Sequence, residues 1–178
     1  MVAVAGCTVT SKKVTSVGTA STVGASAAPR SGVASSAAGS GSLPKAEFVS
    51  KMNAVCVDFN TRMQALPLPS GIDDYDHVAD NLTGNLTLFP QYYQQASALV
   101  DRSEDKATLT SNWLTVEKSD FDAFEPLARK LVTDANARDR AKVDADGKAL
   151  DKVPDHTDSI AAFMSGYGLG SCAVMERS

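Results

Sequence analysis

No stretch of this 178-residue chain holds the run of about 18 apolar residues that a bilayer-spanning helix requires. Histidine is scarce. His77 and His156 are the only two, and neither belongs to a His-x-Glu, Glu-x-x-His or His-Glu-x-x-His pattern. Zinc-hydrolase and di-iron carboxylate chemistry therefore lack their ligands. Covalent haem attachment needs Cys-x-x-Cys-His, and an α/β-hydrolase nucleophile needs Gly-x-Ser-x-Gly; the chain has neither. Sustained apolar–polar alternation is also missing, which argues against a sheet. All 21 acidic residues fall at Glu47 or later, so the charge is unevenly spread.

From Pro44 onward 14 Lys and Arg stand against those 21 acids, a net −7. With no basic stripe to displace counterions, this part is a poor partner for nucleic acid. It is equally unsuited to lying flat on anionic lipid. The earlier stretch is of another kind: 26 of the 36 residues 8–43 are Ser, Thr, Ala or Gly. Such a segment has too little apolar bulk to bury and is expected to be a disordered tether. As a coil it spans roughly 30–36 Å.

From Pro44 the apolar residues take up helical spacing. Phe48, Met52, Val55, Phe59, Met63 and Leu66 line one helix face. Ser42 is the expected cap, Pro44 falls in the first turn, and Pro67 and Pro69 stop the helix. Ser70-Gly71 reads as a turn. Val78, Leu82, Leu86, Phe89, Tyr93, Ala96 and Val100 form a second stripe, which Pro90 should kink or divide. A third runs through Leu109, Trp113 and Val116, then Phe121, Phe124, Leu127, Leu131 and Ala135, with a slip of phase near Ser119-Asp120. That predicts a short helix followed by a longer one, or a single bent helix. Residues 134–152 are charge-dominated and read as a solvated helix end passing into a loop. A last helix buries Ile160, Phe163, Met164 and Tyr167 and is terminated by Gly166, Gly168 and Gly170. The expected fold is all-α, a four-helix antiparallel bundle with a kinked second helix and a bent or split third.

Weaker chemical signals have ordinary explanations. Asp73-Asp74-Tyr75-Asp76-His77 could chelate a cation, but acids in a first turn are expected from the helix dipole alone. Asp144-Ala145-Asp146-Gly147 imitates part of a calcium loop; aligned on its glycine, the first ligand position is Lys142 and the twelfth is Val153, so the pattern fails. Met52 and His156 lie on different helices and could ligate haem, yet Met52 is in phase with the core stripe. Asn81 and Asn85 match glycosylation acceptors and are read as polar positions on one helix face. Trp113 and Tyr92-Tyr93 could line a groove, with core packing the default. No catalytic residue, metal site or cofactor is expected.

At the amino terminus, Val4-Ala5-Gly6-Cys7 resembles a bacterial lipobox at all four positions: an apolar residue, two small ones and the cysteine that accepts diacylglycerol. The positively charged start and longer apolar core of such a signal are missing ahead of it. Met1 is accordingly expected to be a late-assigned start or a cut within the signal's apolar core. Two or three lipid chains on Cys7 would anchor stably where one would not. Three cysteines then resolve into a lipid site plus Cys56 and Cys172. An oxidising compartment favours a bond between these two, the alternative being two buried free thiols.

The lipobox, the small-residue tether, one cysteine in the first helix and the Gly-Leu-x-x-Cys ending at Gly168 to Cys172 together resemble the small cell-envelope lipoproteins of actinobacteria. The resemblance implies a location, the outer face of the cell membrane, and little about activity. It divides the chain into the end of a signal (1–6), a lipidation site with tether (7–43) and a helical domain (44–178). The resulting expectation is a non-catalytic accessory or binding module that reaches the membrane through its lipid and acts through contacts with an envelope protein. The rival expectation is a carrier of a small apolar ligand, lipid or haem in the bundle core. An enzyme ranks third, since no acid–base pair or nucleophile is visible.

Overall fold

The computed structural model describes residues 42–175, and every regular element in that stretch is helical. The order is α1 (Lys45–Gln64), α2 (Tyr75–Val100), α3 (Lys106–Leu109), a π turn (Thr110–Leu114), α4 (Thr115–Asn136), α5 (Arg140–Leu150), α6 (Thr157–Tyr167) and α7 (Gly170–Met175). Contacts fix the directions. Phe59 stacks on Tyr92 at 4.6 Å and Leu43 meets Ser103, so α1 and α2 are antiparallel. Phe89 stacks on Phe121 at 4.2 Å while Arg138 reaches Asp76, so α2 and α4 are antiparallel as well. The all-α bundle read from the periodicity is the observed fold.

The first helix buries Phe48, Met52, Cys56 and Phe59, four members of one face. Tyr92, Ala96 and Val100 of α2, Leu109, Trp113 and Leu114, and Ile160, Ala161 and Met164 of α6 complete the main core with Leu169, Cys172 and Ala173. A second, smaller cluster joins Ala79, Leu131, Ala135 and Val143.

Several local expectations are narrowed or changed. Pro90 does not divide α2, which runs through it for 26 residues; Pro126 likewise lies inside α4. Both ring positions are exposed, so neither ring intrudes on the core. The phase slip of the third stripe lies earlier than Ser119: the π turn at Thr110–Leu114 takes up the extra residue and keeps Leu109 and Trp113 fully buried. Finally, residues 140–150 are a helix of their own. Asp139 caps it by accepting the Lys142 N–H at 3.2 Å, and Val143 and Asp146 are its buried face.

Ser42 is not the cap of α1. Leu43 is drawn into an isolated parallel bridge with Ser103, its N–H donating to the Arg102 carbonyl at 2.5 Å, which places Pro44 at the cap position. The free Lys45 N–H donates instead to Glu104 Oε1 at 3.0 Å. Glycine is required at two places. Gly168 closes α6 with φ 102°, and the N–H of Leu169 donates back to the Met164 carbonyl at 2.8 Å. At Gly84 the Leu66 side chain occupies the space a Cβ would need, coming within 2.3 Å of it.

Candidate functional site

Cys7, residues 1–6 expected to end a signal and residues 8–41 of the expected tether lie outside the described residues, while Leu43, expected to be the tether's last residue, is part of the domain's core. What the structure supplies is the domain they would carry: its entry, its covalent closure and its far end.

The entry is held by side chains from three elements. Leu43 is 4% exposed in the core. The Lys45 ammonium lies over the Tyr167 ring, 4.0 Å from its centroid, and the Tyr167 hydroxyl donates to Asp105 Oδ2 at 2.7 Å. Burial, with the Asp105 carboxylate beside it, pushes the Tyr167 phenol up to about 12. The chain therefore enters the domain at a fixed point between α1, the α2–α3 turn and α6. Closure is the Cys56–Cys172 disulfide, with Cα atoms 5.1 Å apart, 116 residues of sequence separation and both cysteines fully buried. It ties α7 to α1. Asn53 adds to this seam, its Nδ2 donating to the Gly168 carbonyl and its Oδ1 accepting the Ser171 N–H.

The far end is the loop from Ala65 to Asp74, across the length of α1 from Leu43. Leu68, between Pro67 and Pro69, is 80% exposed, and Ile72 is 39% exposed. The loop is braced from beneath: Asn81 Nδ2 donates to the Pro67 carbonyl at 3.0 Å, and the Ser70 N–H and hydroxyl both donate to Asp74 Oδ2 at 2.9 Å. The Ser70 N–H, then His77 Nδ1 and the Ser70 hydroxyl hold the Asp74 carboxyl down to about 2. An open depression of about 530 Å³ is lined by Ser70, Gly71, Ile72, Asp73 and Asp74.

The candidate cation ligands are not brought together. Asp73 accepts from Tyr75 and faces Arg140, Asp74 faces Ser70 and His77, and Asp76 pairs with Arg138. Asp144 pairs with Lys148 and Asp146 with Lys130, both inside helix α5 rather than a loop. Among the described residues no group of three His, Cys, Asp or Glu is placed to hold a metal. Met52 is fully buried, whereas His156 is exposed at the head of α6 with Nδ1 2.8 Å from Asp120 Oδ1. Trp113 and Tyr92 are core residues. Asn85 donates to the Asn81 carbonyl, so the two asparagines share one face and serve the loop contact.

Leu68 and Ile72 were invisible to periodicity because both lie off the helical stripes; an apolar residue between two prolines was the available signal. Among the described helices none is long and apolar enough to cross a membrane. Compared with protein-family models, curated proteins and solved structures, the chain returns no match.

Proposed function

We propose that this chain is an exported, lipid-anchored accessory module of a cell envelope, non-catalytic, held to the outer face of the membrane through Cys7 and acting by protein contact at the tip of its helical domain. The observation that carries the reading is Leu68, held 80% exposed on a braced loop. A lone exposed leucine is common on soluble surfaces, but this one sits between two prolines on a braced loop with Ile72 near it in sequence. That arrangement suits a binding surface, because a pre-organised anchor loses little entropy on docking. The position fits as well. Within the domain, the 20 residues of α1 separate Leu43 from the loop by about 30 Å. The buried disulfide suits an oxidising compartment. The carrier reading has less to rest on, since Phe48, Met52, Tyr92 and Trp113 occupy the bundle centre.

Two measurements test it. Intact-mass analysis of protein from its native host should show diacylglycerol on Cys7; unmodified chain in the cytosol would overturn the location. A photo-cross-linker at position 68 should capture one defined envelope protein that the same probe at exposed Asp158 does not. Leu68→Asp should abolish complex formation with that protein while leaving the helical circular dichroism unchanged. Equal capture from both positions would overturn the docking role.

A further inference from the structure

We propose that α5 is a strap that opens while the rest of the domain stays folded, uncovering the face of α4 on which it lies. The strap belongs to the small cluster of Ala79, Leu131, Ala135 and Val143, separate from the main core. Val143 is the one fully buried apolar side chain α5 contributes. Leu150, only partly buried against the same cluster, is its companion, and the two are little against the conformational entropy of eleven ordered residues. A helix of this length has no stability of its own in water.

What holds α5 down is polar. Lys130 Nζ of α4 donates to Asp134 at 2.9 Å and across to Asp146 of α5 at 2.5 and 2.8 Å. The two aspartates are 9% and 6% exposed, but the lysine side chain is 54% exposed, so water and salt reach the joint. Lys142 and Asp139 stand beside it on α5's own first turn and cap. Arg138 and Arg140 reach Asp76 and Asp73 at the head of α2 through pairs that are more than half exposed on both sides.

Both ends of the strap are hinges. Arg138, with a left-handed φ of 53°, closes α4 through its N–H to the Ala135 carbonyl and the Asp139 N–H to the Asp134 carbonyl, so α4 ends on its own hydrogen bonds before the strap begins. At the other end, residues 151–156 connect to α6 without a regular element. The neighbours are anchored independently. Ile160, Ala161 and Met164 of α6 lie in the main core, His156 is bonded to Asp120, and the disulfide fastens the following α7 to α1. Releasing residues 139–153 therefore breaks no contact within the main core.

Native-state hydrogen exchange on the full, oxidised chain tests this. Amides of α5 should exchange at least ~100-fold faster than those of residues 52–59, with rates nearly independent of mild urea, as expected of a local opening that exposes little surface. Asp146→Asn should speed α5 exchange about tenfold, the scale of one lost charge-assisted bond, and leave residues 52–59 unchanged. Val143→Ala gives a second reading should the first variant fold poorly. Exchange of α5 in step with residues 52–59, with the same urea dependence, would overturn the proposal.

Discussion

Gly168 turns the chain from α6 into α7 with a φ of 102°, a conformation that costs a residue with a Cβ about 1–2 kcal/mol. Gly168→Ala should therefore lower the unfolding midpoint by about that free energy, while Gly170→Ala, which meets nothing within 4 Å, should cost far less. Urea denaturation of the two variants side by side checks the pair. Asp74 makes a second prediction at this scale. Its folded carboxyl sits at about 2, below the ordinary unfolded value of about 3.9. The sign follows: the loop is fully braced above pH 4 and loses the brace only as pH falls through about 2. Carboxyl NMR titration should find Asp74 among the last carboxylates to take up a proton, and Asp74→Ala should speed exchange at the Ser70 amide at neutral pH. A midpoint near 4 would refute the geometry drawn for the tip. Single residues were legible where one property decided them. Met52 follows from phase, Cys56 from the cysteine count, and Gly168 from punctuation; the stripe named Val55 where the structure buries Cys56. Ser42 was misread because its role depended on Leu43 docking against residues 102–104, a contact 59 or more positions away.

At the scale of elements, the π turn explains how one apolar stripe can slip and still face one core. Its extra residue rotates what precedes it by about 100° relative to an unbroken α-helix. Deleting exposed Ser111 should convert the turn to regular α-helix and swing Leu109 out of the main core, where it is fully buried. The expected loss is on the scale of a buried leucine, about 2–5 kcal/mol, whereas Ser111→Ala should be nearly neutral. Thermal melts of the two proteins decide it; a deletion as stable as wild type would mean the turn carries no register. Helices with a long stripe were readable because burial imposes the 3.6 period on the sequence itself. The fifth helix escaped because it buries only Val143 and Asp146, and its cap, Asp139, looks like one more charge among many. The same poverty of apolar contacts that hid α5 from periodicity is what makes it a strap. The seventh helix escaped for another reason: six residues are too few for a period, and the glycines that end α6 also precede it.

For the whole molecule, the link between Cys56 and Cys172 decides how the helices cooperate. The bond joins the middle of the first helix to the last one, 116 residues on. Unfolding with the bond intact leaves a closed loop of that size in the denatured chain, and constraints of this kind stabilise by about 2–4 kcal/mol, approaching 4.7 in the chain-entropy account for a loop of a hundred residues. Replacing both cysteines with alanine should accordingly lower the unfolding free energy by about 2–5 kcal/mol. The helical circular dichroism should stay close to native, because Phe48, Met52, Ile160 and Met164 still meet in the core. Access is the sharper test. Both cysteines are fully buried, so reductant should act only on molecules that have opened the seam between α1 and α7. Reduction in buffer should be slow and should accelerate with urea in parallel with exchange of the residue 52–59 amides, and not with exchange of α5. If instead the bond were reduced at the rate of α5 opening, the strap and the main core would be one cooperative unit. The separation of the two apolar clusters would then carry no thermodynamic meaning.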